Sequence, residues 1–466
     1  MLRQRRVVAA LLAAVSVSGM LSLAACTASS SQKSSGKSLT VWSEENDPQR
    51  MAEQRKIIAG FTKSTGIHVN LVGVAENQFS TLVTSSAAAG NLPDAIGALP
   101  VSDADQLAKE NIADSAAATA VVGELGRATF QPKVLQLASV KGDLVAVPSD
   151  SWVQLLVYRR DLFAKYHLPA PTTYATILSD AAALKSHGYV GIVAATDAND
   201  AFTEQTFEYV SLANGCQLVD AKGSVTLGSA QCRQAFSFYD KLIKNDSVAG
   251  SQTVDTTEQE YLAGKAGMVI WSSYILPPVA GQEQGSVPSC PQCRSDPTYL
   301  AKNSGVVTAI SGQGSTPATD YGQISGWVIS SQSKNKPGAE KFVSYMMNAG
   351  YRSWLSLNPP GKLPVRTSTS AGPVKAQWSA LPIALGAAKP TSAYYSSPTI
   401  SSLVAGPANI TEWGLPYGQG ALLGATLASE PVPNAISSMI GGTLSPDQAA
   451  EQALAQVKSV QSNLQG

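Results

Sequence analysis

The chain has 466 residues, with 33 basic and 33 acidic side chains, 44% hydrophobic and only 14% charged. That length is enough for two domains or one large discontinuous one. The balance gives no basic face for nucleic acid and no long like-charge run, so the surface must be carried by uncharged polar residues and alanine.

The first elements are not part of a fold. Arg3, Arg5 and Arg6 form a basic head, Val7 to Leu23 is apolar and uncharged, and Leu23-Ala24-Ala25-Cys26 closes the segment with small residues. This order is that of a secretory signal, and its apolar run is marginal for a bilayer-spanning helix, which needs about 20 residues. With a cysteine behind the small residues it resembles a bacterial lipobox, which implies a signal peptide over 1–25 and lipidation of Cys26. The expected location is the extracellular face of the cell membrane, held by lipid. Losing the three arginines leaves 30 basic against 33 acidic residues, a net of −3. No apolar stretch after Cys26 is long enough to span a bilayer. Residues 26–38 form the expected tether: Thr27 to Ser38 is Ser-rich and without apolar period, with a coil reach of about 17–21 Å.

The body begins with the strand Leu39-Thr40-Val41-Trp42. Arg50 to Thr65 reads as a helix with Met51, Ile57, Ile58 and Phe61 on one side and Gly66 past its end. Ile67 to Val72 alternates as a second strand, with His68 facing solvent. Phe79 to Gly90 is a second helix, and Pro93-Asp94-Ala95-Ile96 opens a third strand, with Asp94 structural. Strands alternating with helices imply an α/β layered domain with parallel pairing, and such sheets hold ligands at the carboxyl ends of their strands. Four cysteines remain in the body: Cys216, Cys232, Cys290 and Cys293. An even number in an exported chain points to two disulfides; three pairings are possible, and the local ones, Cys216–Cys232 and Cys290–Cys293, are favoured. Pro288, Pro291 and Pro297 around the CxxC, with no helical period beside it, speak against a redox motif, and the three histidines lie too far off in sequence to suggest zinc.

A series of motifs then carries a family resemblance. Phe61-Thr62-Lys63-Ser64-Thr65-Gly66-Ile67-His68-Val69 resembles F-x-x-x-T-G-I-x-V. Ala87-Ala88-Ala89-Gly90-Asn91-Leu92-Pro93-Asp94 resembles A-x-A-G-x-x-P-D. Ala146-Val147-Pro148 and Tyr158-Arg159-Arg160-Asp161-Leu162-Phe163 resemble V-P and Y-N-K-D-L-F, with Arg159 in place of the usual Asn. Tyr261 to Met268 resembles F-x-x-G-K-A-A-M, with Gly267 for the second Ala. Gly326-Trp327 and Lys362-Leu363-Pro364-Val365-Arg366 complete the order. The chain thus resembles the sugar-binding, maltose-binding-protein-like group of extracellular solute-binding proteins of ABC importers. Gly281 to Ser304, the cysteine pairs and the tail after Gly372 fall outside the pattern.

The resemblance implies an α/β, two-lobe periplasmic-binding-protein-like fold, hinge-linked, with parallel-rich sheets and flanking helices. Lobe one would hold 38–148 and 306–327, lobe two 149–305 and 328–466. It implies no chemistry, no cofactor and no metal. A sugar, an oligosaccharide for preference, would be gripped between the lobes and handed to the permease subunits by a lipid-anchored monomer.

Sugars need aromatic platforms for their C–H faces and fixed polar groups for their hydroxyls. Candidate platforms are Trp271 and Trp327, supported by the family position, with Trp152 and Trp413; Trp42 and Trp354 read as core. Candidate polar contacts are Glu44, Glu45, Asn77, Gln78, Asp150 and Arg366, with Gly326 at the crossing. Neighbours in an extended loop point apart, so one of Glu44 and Glu45 should be solvated. Asp161 and Lys165 read as an ion pair on a helix face. Rival readings are the same fold binding a glycerophosphodiester, polyol or peptide, an exported glycoside hydrolase using two carboxylates, and an adhesive surface lipoprotein.

Overall fold

A computed structural model describes residues 37–314 and 316–465. The signal segment, Cys26 and the tether up to residue 36 lie outside the described residues. Among the described residues no helix is long and apolar enough to cross a membrane.

Strand β1 (Ser38–Ser43) leads into helix α1 (Pro48–Thr65). Asp47 caps α1 by accepting from the backbone N–H of Gln49 and Arg50, Pro48 fits its first turn, and Gly66 ends it at φ 73°. Then follow β2 (His68–Gly73), α2 (Glu76–Ala89), β3 (Ala95–Pro100) and α3 (Val101–Lys109). β1 pairs in parallel with β2 and β3, as the alternation of elements predicts. His68 faces solvent. Asp94 accepts from Thr40 N–H and Ser333 Oγ, which fits its structural reading.

The passage between lobes rests on one long strand, β4 (Val147–Arg159). β4 is buried along almost its whole length, so it reads as an apolar run without alternation. Helix α4 (Ala201–Ala213), helix α5 (Ala230–Asp246) and helix α6 (Val254–Leu262) follow. Next come β5 (Met268–Ser272), β6 (Ser304–Val307) and β7 (Gly322–Ile329). Helix α7 (Lys336–Met347), strand β8 (Leu363–Pro364) and helix α8 (Gly420–Ser429) complete the elements that position the site. The first half of β4 pairs with β7 and β8; its second half pairs with β5 and β6. β7 also pairs antiparallel with β3 and so closes the first lobe's sheet in the order β2-β1-β3-β7-β4-β8.

Two apolar clusters fill the fold, and the first extends past the crossing strand to Tyr261, Leu262, Val269 and Leu276. One gathers Phe61, Trp327, Phe342 and Trp354; the other gathers Phe207, Phe236, Tyr239 and Trp413. The first corrects an expected boundary. α7 lies with α1, β1 and β7, and its Phe342 meets Phe61 edge-on at 5.3 Å. The stretch after 328 therefore begins in the first lobe's core rather than the second, because its apolar face is completed there.

Both cysteine pairs are local, Cys216–Cys232 and Cys290–Cys293. Cys216 follows α4 and Cys232 lies in the first turn of α5, both fully buried. Closing a loop of 16 residues stabilises by about 3 kcal/mol in the chain-entropy account. C216S/C232S is expected to lose stability of that order in urea titration; an unchanged midpoint would contradict it.

Candidate functional site

The carboxyl ends of β1 and β3, the crossing strand β4, the first turn of α4 and the end of β5 converge on one cavity of about 390 Å³ between the lobes. That volume is in the range of small-molecule sites. The first lobe contributes Glu44, Glu45, Arg50, Glu76, Ala98 and Lys362. Ala98 has φ 60°, a left-handed backbone rare for a residue with a side chain, where the β3–β7 pairing shifts register at the cavity wall. The second lobe adds Asp200, Phe202, Glu258, Trp271, Tyr274 and Glu283, and Trp152 stands on β4 between them.

Two tryptophans are mounted as platforms. Trp271 ends β5, donates its Nε1–H to the carbonyl of Val254 at 3.1 Å, and leans on Phe202 with ring centroids 5.2 Å apart. One face is thus fixed by protein while the ring stays partly exposed to the cavity. Trp152 meets Tyr321 edge-on at 5.8 Å and also remains partly exposed. Asp200 caps α4 through Phe202 N–H and ties it to α6 through Val254 N–H, both at 2.9 Å, so the Phe202–Trp271 wall is held by its backbone.

The polar wall is built on a buried cation. Lys362 Nζ lies 2.6 Å from Glu45 and 3.3 Å from Asp150, above the Trp354 ring at 4.2 Å. Arg50 reaches Glu45 at 2.8 Å and Glu283 at 2.9 Å. Burial pushes the Glu45 carboxyl up, but Lys362 and Arg50 outweigh it and hold it at about 2. Glu44 goes the other way: burial first, then Asp103 and Glu76, push it well above the ordinary range. Its Oε1 is shut from solvent without a hydrogen-bond partner among the described residues. Adjacent carboxyls on one loop thus hold opposite protonation preferences, one a fixed acceptor and the other a potential donor.

The sequence candidates divide clearly. Trp271, Trp152, Glu44 and Glu45 come together in the cavity, and both glutamates line it, against the expectation that one would be solvated. Trp327 does not: it is 0% exposed, packed on Phe342 and Trp354 beneath β3, and fills the space that a side chain at Gly97 would need. Trp413 is buried in the second lobe, donating to the carbonyl of Cys216 and resting edge-on against Phe207. Asp150 sits behind the wall as the acceptor for Ser149, Trp354 and Lys362. Gly326 is a buried strand position opposite Pro148, and its neighbour Ser325 lines the cavity instead. Asn77 and Gln78 face solvent on α2, and Glu76 takes their place. Arg366 is structural, donating to the carbonyls of Met347 and Leu125 and to Thr129 over the Phe130 ring. Arg159 is turned away from the cavity onto Asp161 and Tyr299, so Asp161 pairs with Arg159 rather than with Lys165. Trp42 and Trp354 are core, as read. Lys362 was missed although it opens the quoted motif with Arg366; nothing in an extended run tells which cation turns inward.

Behind Gln323, which lines the cavity and donates to Glu412 at 2.9 Å, lie three buried carboxyls, Glu204, Glu208 and Glu412. Burial, then Glu430 and Glu412, push Glu204 up to about 8, and neither of its oxygens has a hydrogen-bond partner among the described residues. Its folded pKa is above the ordinary 4.5, so its contribution to stability is complete below 4.5 and lost as pH rises through 8. Glu204→Gln is expected to raise the melting temperature at pH 9 relative to wild type and to flatten its decline from pH 6, read by thermal melts across that span. A parallel decline in both proteins would refute the assignment.

A profile of the family described as bacterial extracellular solute-binding protein matches residues 46–352. YcjN of Escherichia coli (strain K12), named for an ABC transporter periplasmic-binding role, is 28% identical over 362 residues, 75% of this chain and 78% of that protein. Among solved structures, maltose-bound T. maritima MalE3 superposes with a TM-score of 0.70 at 17% identity, covering 91% of this chain and 99% of that one. A sugar transporter protein from Arthrobacter chlorophenolicus A6 with bound laminaribiose gives 0.72 at 19% identity with the same coverage. These structures share the two-lobe fold, and with the profile spanning most of the chain, the protein belongs to the bacterial extracellular solute-binding protein family, the solute-capturing components of ABC transporters.

Proposed function

We propose that this protein captures a neutral sugar, an oligosaccharide for preference, between its lobes and delivers it to an ABC permease without chemical change. The observation that carries this is the pair Trp271 and Trp152, partly exposed and fixed from behind, facing a wall of ordered carboxyl and amide groups across one cavity. Rings of that kind suit the C–H faces of a sugar, and Glu45, Glu44, Gln323 and Ser325 suit its hydroxyls. The maltose and laminaribiose named for the superposed proteins favour the same class. Ribitol and D-mannitol, named for two other superposed proteins, make a polyol the second reading.

The cavity wall carries more acid than base, which opposes a phosphodiester. The Glu45–Asp150 pair does not suit a hydrolase, because Glu45 is locked by two cations and Asp150 is behind the wall. Binding would shift the population towards the closed arrangement that the importer reads. The N-terminal signal and Cys26 support export and lipid anchoring to the outer face of the cell membrane.

A thermal-shift screen of the chain from Gly36 tests this, with mono- and oligosaccharides, polyols, glycerophosphodiesters and short peptides. A ligand at 100 times its Kd stabilises by about 2.7 kcal/mol, enough to move the midpoint visibly. A shift with one sugar class, recovered intact, is expected. A shift only with phosphorylated or peptide ligands would overturn the sugar, and its breakdown would overturn the transport role.

A further inference from the structure

The segment from Gly281 to Ser304, outside the family motifs, enters the site. It leaves the second lobe after β5 and a short helix (Leu276–Val279) and returns into β6. Its tip, 283–286, closes as a tight bridge between Glu283 and Ser286, both of which line the cavity. Three side chains of this tip are engaged. Glu283 pairs with Arg50 at 2.9 Å and Gln284 accepts from Gln49 at 2.7 Å, both partners being in the first turn of α1 in the opposite lobe. Ser286 donates to Glu258 of α6 at 2.5 Å, in its own lobe.

What holds the tip is the CxxC. Cys290 and Cys293 are buried, and Cys290 lies against Gly264, where any Cβ would come within 2.7 Å of it. Gly264 also has φ +71°, so glycine is required there on both counts. Ser289 N–H donates to Leu262 O at 2.9 Å, fixing the descending limb onto the end of α6. The bridge therefore anchors a loop whose tip is only four residues from Cys290. A flexible loop of this length would lose the ordering that the cross-lobe contacts need.

We infer that residues 281–293 form a disulfide-stapled clasp, and that Glu283 is a positioning residue which draws the two lobes together and holds Arg50 against Glu45 at the cavity. The clasp rests on the reading of this cavity as the ligand site. Its cross-lobe contacts exist only when the lobes are near, so it favours the closed arrangement, and it narrows the cavity on the α1 side.

The test is hydrogen–deuterium exchange by mass spectrometry on the ligand-free chain, comparing wild type with E283Q, E283D and C290S/C293S. A hydrogen bond to a charged group contributes about 1.5 kcal/mol or more, roughly tenfold in an equilibrium. E283Q is expected to speed exchange about tenfold over 44–51 and to leave 290–293 protected, with E283D restoring part of it. C290S/C293S is expected to speed exchange at both 281–289 and 44–51. Unchanged exchange over 44–51 in E283Q overturns the clasp; so does loosening of 281–289 in the double variant without any effect on α1. If the double variant unfolds, E283Q and E283D decide alone. Maltose and laminaribiose serve as separate probes: failure of wild type to bind either counts against the sugar reading, while the ligand-free exchange judges the clasp independently.

Discussion

Trp271→Ala is expected to weaken binding of the cognate sugar by about 2–4 kcal/mol, roughly 30- to 700-fold in Kd, the range for a central aromatic anchor. The ring combines three properties: a back face on Phe202, an Nε1–H committed to Val254, and a partly open front on the cavity. Because its hydrogen bond is to backbone within its own lobe, the substitution removes a platform without leaving a buried charge. Trp271→Phe should recover much of the loss, since the stacking face returns without the bond to Val254. Isothermal titration of both variants checks this, with urea midpoints as the control for folding. An unchanged Kd in Trp271→Ala would remove Trp271 from the site. Trp327→Ala should do the reverse. It opens a hole in the first lobe's core, at a cost of about 3–5 kcal/mol in stability, and touches no cavity surface.

Lys362→Met is expected to destabilise the fold as strongly as Trp327→Ala. Lys362 is 1% exposed and serves Glu45 and Asp150 at once. Burial alone would lower its pKa, but Asp150 and Glu45 together raise it, so it stays charged. Removing one partner of a buried ion pair leaves the other uncompensated, at about 3–5 kcal/mol; in this position Asp150 loses its cation and Glu45 keeps only Arg50. The pH dependence gives the sign. Glu45 has a folded pKa of about 2 against an ordinary 4.5, so its stabilisation is present above 4.5 and lost as pH falls towards 2. Wild type should therefore soften between pH 4.5 and 2. Lys362→Met should start lower at pH 7 and lose part of that acid-sensitive contribution, because Glu45 then has only Arg50 to hold it ionised. Urea titrations at pH 7, 4.5 and 3 measure both; equal stability of the two proteins at pH 7 would contradict the account.

Much of the frame was legible in the residues. Gly66 marks the end of α1 with a left-handed terminus, while the start expected at Arg50 lies two residues earlier, where Asp47 caps the helix and Pro48 presets its φ. The parallel β1–β3 unit follows from alternating elements, and both disulfides from local spacing in an exported chain. Trp271, Trp152 and the Glu44-Glu45 pair were found because strand ends and crossings gather at a cleft in this fold.

What sequence could not decide was which side of a strand a residue takes and what lies opposite. Trp327 and Trp271 occupy equivalent-looking positions, yet Gly97 on the neighbouring β3 leaves room for one ring to turn into the core. Lys362 and Arg366 share one motif; the buried carboxylates of Glu45 and Asp150 claim the first, while the carbonyls of Met347 and Leu125 claim the second. The Arg50–Glu283 contact joins residues 233 positions apart. By itself the sequence determined the α/β alternation, the end of α1 at Gly66 and the binding-protein resemblance, because caps, periodicity and motifs act over a few neighbours. Only the tertiary structure decided the membership of the cavity and the clasp across it, because burial and charge pairing depend on partners that no local pattern specifies.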